Sequence, residues 1–280
     1  MIPAEVGYRR VDSLEEAFAE LQAPGARPLA GGQALISLMK RREIAPTLLV
    51  DIAPLGLRGV TRDGGTLCIG ALTTWNEVSQ APEVVALLPS LAQAAAVQGD
   101  RQVRNRATVG GALGHGDPAS DVWANALALD GRLVVASPAG ERRIEAGSLL
   151  TAPGKTVLET QDVIVALEIP IVEAQIGAAY RSVRHPSSHY PLAGVAARAT
   201  TAPGGIACRV AVTGLATMPF RALAVEDAVA AGAHGVGLDD AIAAAVDTAQ
   251  LAPDSMLDDD YRRHVAGRCI ARAVDDATNR

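Results

Sequence analysis

Two glycine pairs, each leading into a helical pattern, constrain this chain more than anything else in it. The first lies in Leu29-Ala30-Gly31-Gly32-Gln33-Ala34-Leu35, where the pattern predicts a helix opening at Ala34. The second lies in Thr108-Val109-Gly110-Gly111-Ala112, inside the longer stretch RATVGGALGHGDPASD that spans residues 106–121. Paired glycines let backbone amides approach a ligand with no Cβ in the way, and they accept φ > 0. Thr108 adds a hydroxyl at the mouth of the second loop. Bare amides beside a helix start suit an anionic phosphate. Two such loops therefore point to a ligand with two phosphates, gripped from both sides. Asp117-Pro118 predicts a further helix start, an N-cap followed by proline at the first helical position. Val122, Ala126 and Leu129 run along that helix.

The remaining chain supplies a frame. Residues 1–57 form a small α/β unit. Ser13 and Glu16 make a capping box ahead of Leu14, Phe18 and Leu21, which share one helix face. Pro24-Gly25 ends that helix, and a short strand at 27–29 runs into the first glycine loop. The next helix buries Leu35, Leu38 and Met39 and ends on Lys40-Arg41-Arg42, charges that complement the helix dipole. Residues 47–52 read as a buried strand.

A larger α+β unit follows over 58–176. It has a hairpin turning at Asp63-Gly64-Gly65, a second capping box at Thr74 and Glu77, and an alanine-rich helix over 82–98 broken near Pro89. Short strands are expected at 133–136, 142–145 and 163–169. From 177 to 280 the pattern gives a three-stranded antiparallel sheet at 178–183, 192–200 and 206–213. Helices at 221–231, 239–250 and 258–278 complete it as a three-helix bundle.

Composition narrows the function. Aromatic residues make up only 3% of 280, so the core must be built from Ala, Val, Leu and Ile. A net charge of −6 with no basic cluster beyond residues 40–42 argues against nucleic acid as a partner. No run of residues approaches the ~20 apolar positions of a membrane span. The absence of a signal-like apolar start leads to a cytoplasmic expectation. Cys68, Cys208 and Cys269 stand far apart with no CxxC spacing, so this chain cannot ligate an iron–sulfur cluster or a structural zinc unaided. Redox chemistry here would need an organic cofactor. His115 with Asp117 and Asp121 fits no standard ligand set. His185 and His189 are separated by Pro186 and two serines, which argues for a loop instead of a helical zinc pair. Neither is read as a metal site. No strand-GxGxxG-helix fingerprint is present, which excludes a Rossmann-type site.

Four stretches together carry a family resemblance: AGGQALISLMKRR from residue 30, VRNRATVGGALGHGDPASD from 103, VIVALEIP from 163 and RHPSSHYPLAGVAA from 184. In this order and spacing the chain resembles the FAD-binding medium subunits of molybdenum hydroxylases. These are the carbon monoxide dehydrogenase, nicotine dehydrogenase and xanthine dehydrogenase relatives. The resemblance implies a two-subdomain vanillyl-alcohol-oxidase (PCMH-type) FAD fold with a C-terminal domain closing over the flavin. By the same resemblance, amides of residues 30–35 and 108–112 hold the FAD pyrophosphate. Asp121 bonds the adenosine part, Ile164 lies against the adenine, and Tyr190 covers the isoalloxazine ring. Ala112, Gly114 and Gly116 depart from a common GGNLAHADP pattern, so Ala112 offers only its amide. The family often has lysine after Tyr180, where this chain has Arg181-Ser182. The resemblance implies a small partner with two [2Fe-2S] clusters and a large partner with a molybdenum–pterin cofactor, arranged as a dimer of heterotrimers. No acid–base catalyst is expected in this chain. Two other readings are a free-standing FAD oxidase, for which His115 is the sole tether candidate, and a non-catalytic assembly subunit.

Overall fold

The computed structural model describes residues 4–279. Its first unit is β1 (Gly7–Arg10), α1 (Leu14–Leu21), β2 (Ala26–Leu29), α2 (Gln33–Arg41) and β3 (Leu48–Asp51). The three strands pair in parallel in the order β1-β3-β2. Parallel neighbours need crossovers, and α1 and α2 provide them. The first glycine segment thus falls at the carboxyl end of β2, where open α/β units place ligands. Ser13 caps α1, accepting from the Glu16 amide at 3.1 Å, but the expected box does not close, because the Glu16 carboxylate accepts from the Asp12 amide at 3.0 Å. β1 has no counterpart in the sequence reading, because its four residues are all exposed and show no alternation.

The second unit begins with the hairpin β4 (Val60–Asp63) and β5 (Thr66–Gly70). Then come α3 (Trp75–Gln80), α4 (Pro82–Leu87), α5 (Pro89–Val97), α6 (Arg101–Arg104), α7 (Val109–His115) and α8 (Asp121–Ala128). It closes with β6 (Arg132–Ser137), β7 (Gly140–Glu145), α9 (Ala146–Leu149), the small ribbon β8 (Leu150–Ala152) and β9 (Lys155–Thr156), and β10 (Val163–Pro170). The main sheet is antiparallel, ordered β4-β5-β10-β6-β7. Both faces of β6 are covered, which explains its unbroken apolar run. Leu133 and Val135 face the helices with Trp75, Leu91 and Trp123. Val134 and Ala136 face the first unit with Val11, Leu21 and Val50. The capping box at Thr74 and the break at Pro89 are present.

The third unit carries β11 (Gln175–Arg184), β12 (Pro191–Ala202) and β13 (Gly205–Thr213), the expected antiparallel trio, with two-residue β14 (Phe220–Arg221) added at the edge. α10 (Leu223–Ala230), α11 (Val236–Asp247) and α12 (Asp259–Thr278) follow. One sheet face packs Val195, Ala197, Val210 and Val212 on Ile270 and Ala273. The other brings Ala196 and Ala211 against Ala94, Ala124 and Ala128 of α5 and α8. Alanine at every one of these positions lets the sheet lie close to the helices. Among the described residues no helix is long and apolar enough to cross a membrane.

Candidate functional site

The first glycine segment ends in an open helix start. Gly32 is the N-cap of α2 with φ +79°, a left-handed conformation that favours glycine. Its carbonyl accepts from the Ile36 amide at 3.0 Å. Among the described residues, the amides of Gly31, Gly32, Gln33, Ala34 and Leu35 donate to no protein acceptor. No side chain caps this end. Unpaired amides at the positive end of a helix form an anion site. Leu35 and Leu38, expected to be buried, are only partly so, and Met39 is the one fully buried residue of α2.

The second segment differs from the expected loop. Val109, Gly110 and Gly111 form the first turn of α7, and Thr108 is its N-cap. The Val109 amide donates to Thr73 O at 3.0 Å and the Gly110 amide to Ala71 O at 2.8 Å. Gly111 donates to Thr108 Oγ1 at 3.1 Å, and Ala112 to Thr108 O at 3.0 Å. This segment therefore offers the Thr108 amide and the Thr108 hydroxyl proton, which have no protein acceptor among the described residues. Gly110 is a packing residue: a Cβ there would meet Ala71 Cβ at 2.6 Å.

The two segments touch. A Cβ on Gly31 would lie 1.8 Å from Arg106 O and 3.2 Å from Ala107 Cα. A Cβ on Gly111 would lie 4.0 Å from Ala30 Cβ. The helix start with five open amides thus lies against the segment that carries the Thr108 donors, and together they form a donor set that fits a diphosphate.

The helix predicted at Pro118 starts three residues later. Asp117 Oδ1 accepts from the Ala119 amide at 2.9 Å, forming an Asx turn, and Asp117 O accepts from Ser120 N and Trp123 Nε1. α8 consequently starts at Asp121 with Ser120 as N-cap. Asp121 is buried. Tyr180 donates its hydroxyl to Asp121 Oδ1 at 2.5 Å, and Arg184 Nη1 donates to Oδ2 at 3.0 Å. Burial and the Asp121 carboxylate push the Tyr180 phenol well above its ordinary value. Ile164 sits at a register shift in β10, beside Gly114, where a Cβ would meet its Cδ1 at 3.4 Å. Tyr190 is 45% exposed. Burial of its hydroxyl and the nearby Asp117 push its pKa up, while Arg41 opposes them.

The comparisons with known proteins decide the family. Residues 4–172 match the FAD binding domain in molybdopterin dehydrogenase. The chain is 33% identical to the carbon monoxide dehydrogenase medium chain of Hydrogenophaga pseudoflava over 99% of this chain and 98% of that one. The fold agrees as closely. It matches the solved carbon monoxide dehydrogenase of the same organism with TM-score 0.93 and 35% identity, covering 99% of this chain and 98% of that one.

The chain belongs to the molybdopterin-dehydrogenase FAD-binding family.

It is a medium chain of the carbon monoxide and xanthine dehydrogenase type, an oxidoreductase subunit. The glyceraldehyde dehydrogenase medium chain of Sulfolobus acidocaldarius is 33% identical over 81% of each chain. The medium chain's partners for Asp121, Tyr180 and Arg184, escaped the sequence reading. A faint signal existed in Gly194, where a Cβ would fall 2.2 Å from the Tyr180 hydroxyl. Arg181, at the position next to Tyr180, turns away from the site to pair with Asp276 of α12.

Proposed function

We propose that this medium chain is the FAD-carrying electron-transfer subunit of a molybdenum hydroxylase. It stands between [2Fe-2S] clusters on a small partner subunit and a quinone, NAD or oxygen as acceptor. A large partner carries the molybdenum–pterin site, and the assembly is a dimer of heterotrimers in the cytoplasm. Bound FAD supplies the conversion between one-electron and two-electron transfer.

The observation that carries the reading is the uncapped N-terminus of α2, with its free amides, lying against the segment that contains Thr108. The amides of residues 31–35 and the Thr108 donors hold the pyrophosphate, and Ala30 and Gly111 lie where the segments meet. Val109, Gly110 and Ala112 hold the second helix start in place without donating to the ligand. Asp121, with its two protein partners, keeps lone-pair capacity for an adenosine hydroxyl. Ile164 offers an apolar wall for adenine, and Tyr190 faces the flavin ring. Medium chains named for carbon monoxide and for glyceraldehyde enzymes are each 33% identical to this chain, over 99% and 81% of it. That shared identity fits a subunit whose task is independent of the substrate oxidised.

Purification from the native host should bring down two further chains and FAD absorbance near 450 nm, with the colour released on denaturation. Colour retained by the denatured polypeptide would replace the relay subunit with a covalently tethered oxidase. Gly111→Val should abolish FAD retention with the far-UV spectrum kept, and full FAD occupancy in that variant would sink the loop assignment.

A further inference from the structure

The loop at residues 185–190 joins β11 to β12 and delivers Tyr190. Its backbone closes on itself: the His185 amide donates to Tyr190 O at 2.8 Å, and the His189 amide donates to His185 O at 3.0 Å. The imidazole of His185 sits inside this ring of backbone. Nδ1 accepts from the amides of Ser187 and Ser188, both at 3.2 Å. Pro186 has no N–H, so these are the first side-chain-reachable amides along the loop. On the other edge Nε2 lies 3.3 Å from Asp254 Oδ2, and both side chains are 14% exposed. Asp254 is itself fixed, because its Oδ1 accepts from Met256 N at 2.8 Å and Leu257 N at 3.1 Å.

This arrangement dictates the protonation of the ring. An Nδ1 that accepts must carry the lone pair, so the ring proton sits on Nε2 and points at Asp254. One imidazole therefore links the loop to the segment ahead of α12. The loop needs such a link. His189 has φ +59°, a left-handed conformation that residues with a Cβ adopt at a cost. Ser187, Ser188 and His189 are all exposed, so no apolar packing holds them. The other side-chain contact within the loop, Tyr190 N to Ser188 Oγ, is 3.3 Å long.

We propose that His185 is a positioning residue: by accepting the Ser187 and Ser188 amides while held by Asp254, it sets the loop that presents Tyr190 to the flavin. The Tyr190 part rests on the proposed function above; the anchoring of the loop does not. Two conservative changes separate the halves of the device. Asparagine places an oxygen where Nδ1 stands and keeps the acceptor. Glutamine reaches towards Asp254 but has no acceptor at the δ position.

The test uses the assembled FAD-loaded complex, with hydrogen exchange of amides 187–190 and visible circular dichroism of the flavin as readouts. His185→Ala should speed exchange of these amides roughly tenfold, about the loss of one hydrogen bond. Its flavin signal should move towards that of Tyr190→Ala. His185→Asn, which keeps the acceptor and loses the Asp254 link, should keep most of the protection at amides 187 and 188 while its flavin signal moves part of the way towards Tyr190→Ala, and His185→Gln should lose the protection as His185→Ala does. Unchanged protection in His185→Ala overturns the anchor, as does an intact His185→Gln beside a loosened His185→Asn. A Tyr190→Ala variant with the wild-type flavin signal overturns the flavin reading instead, and exchange alone then decides the anchor.

Discussion

The two glycine segments look alike on paper and do different work. At residues 29–35 the chain leaves a parallel strand, turns through a left-handed glycine and starts a helix whose first amides are free. At residues 108–112 the helix start is sealed by neighbouring carbonyls and by its own threonine. The glycines differ correspondingly. Gly31 and Gly110 admit protein backbone and side chain, Gly32 supplies a positive φ, and Gly111 lies beside Ala30. A Gly-Gly pair therefore identifies a close approach without saying whether ligand or protein makes it. Here one segment leaves its amides free, and the other has most of its own taken by protein acceptors.

Substitutions that treat the two segments differently test this contrast. The largest effect is expected for Gly31→Ala, whose Cβ would collide with Arg106 O and push the segments apart. Stability should fall by about 3 kcal/mol, the upper range for overpacking, with FAD lost in the same preparation. A urea midpoint and FAD stoichiometry like wild type would break the idea that the segments are in contact.

Tyr180→Phe probes what holds the helix after the second segment. Removing a hydrogen bond to a buried carboxylate should lower stability by about 2 kcal/mol at neutral pH. The pH profile carries a second signature. Tyr180 has a folded-state pKa raised well above 10, so its neutral form stabilises the fold below about pH 10, and that stability is lost as pH rises further. Melting curves between neutral pH and about pH 11 should fall steeply for the wild type and more gently for the variant. Parallel curves would remove Tyr180 from the account.

Gly110→Ala and Gly111→Ala form a matched pair. The first drives a methyl into Ala71 and should destabilise the chain by about 1.5 kcal/mol even without FAD. The second meets only the Thr108 hydroxyl at 2.8 Å and should lower stability by about 1 kcal/mol through the disturbed cap, while weakening FAD more. Equal effects on FAD retention would erase the distinction between the two glycines. Thr108→Val keeps the side-chain shape and loses the hydroxyl. It should cost about 1 kcal/mol of stability and about tenfold in FAD affinity by titration.

Much of the fold was legible because short-range rules govern it. Thr74 with Glu77 closes the capping box as read, while Ser13 caps α1 with the Glu16 carboxylate accepting from the Asp12 amide instead of from Ser13. Pro89 splits two helices where its ring forbids continuation. β12 and β13 pair antiparallel across the turn at Pro203-Gly204, as expected for the C-terminal sheet. Asp117-Pro118 misled for a local reason too: the carboxylate found the amide two residues on before a helix could use it. β1 had no pattern to read. The candidate site was legible in part, since the amides of Gly31 and Gly32 are free, whereas those of Val109 and Gly110 are taken by the carbonyls of Thr73 and Ala71.

What the sequence alone determined is which positions can bend, cap and pack: glycines for close approach, threonine and serine for helix starts, alanine where sheet meets helix. These follow from the covalent shape of each residue and its nearest neighbours. Tertiary structure decided which amides stay free, because that depends on whether a carbonyl from a distant strand arrives first. It also decided that Asp121 meets Tyr180 and Arg184, which happens only once the third unit has folded onto the second, and that His185 meets Asp254, which happens only once the third unit's own sheet and helices have packed.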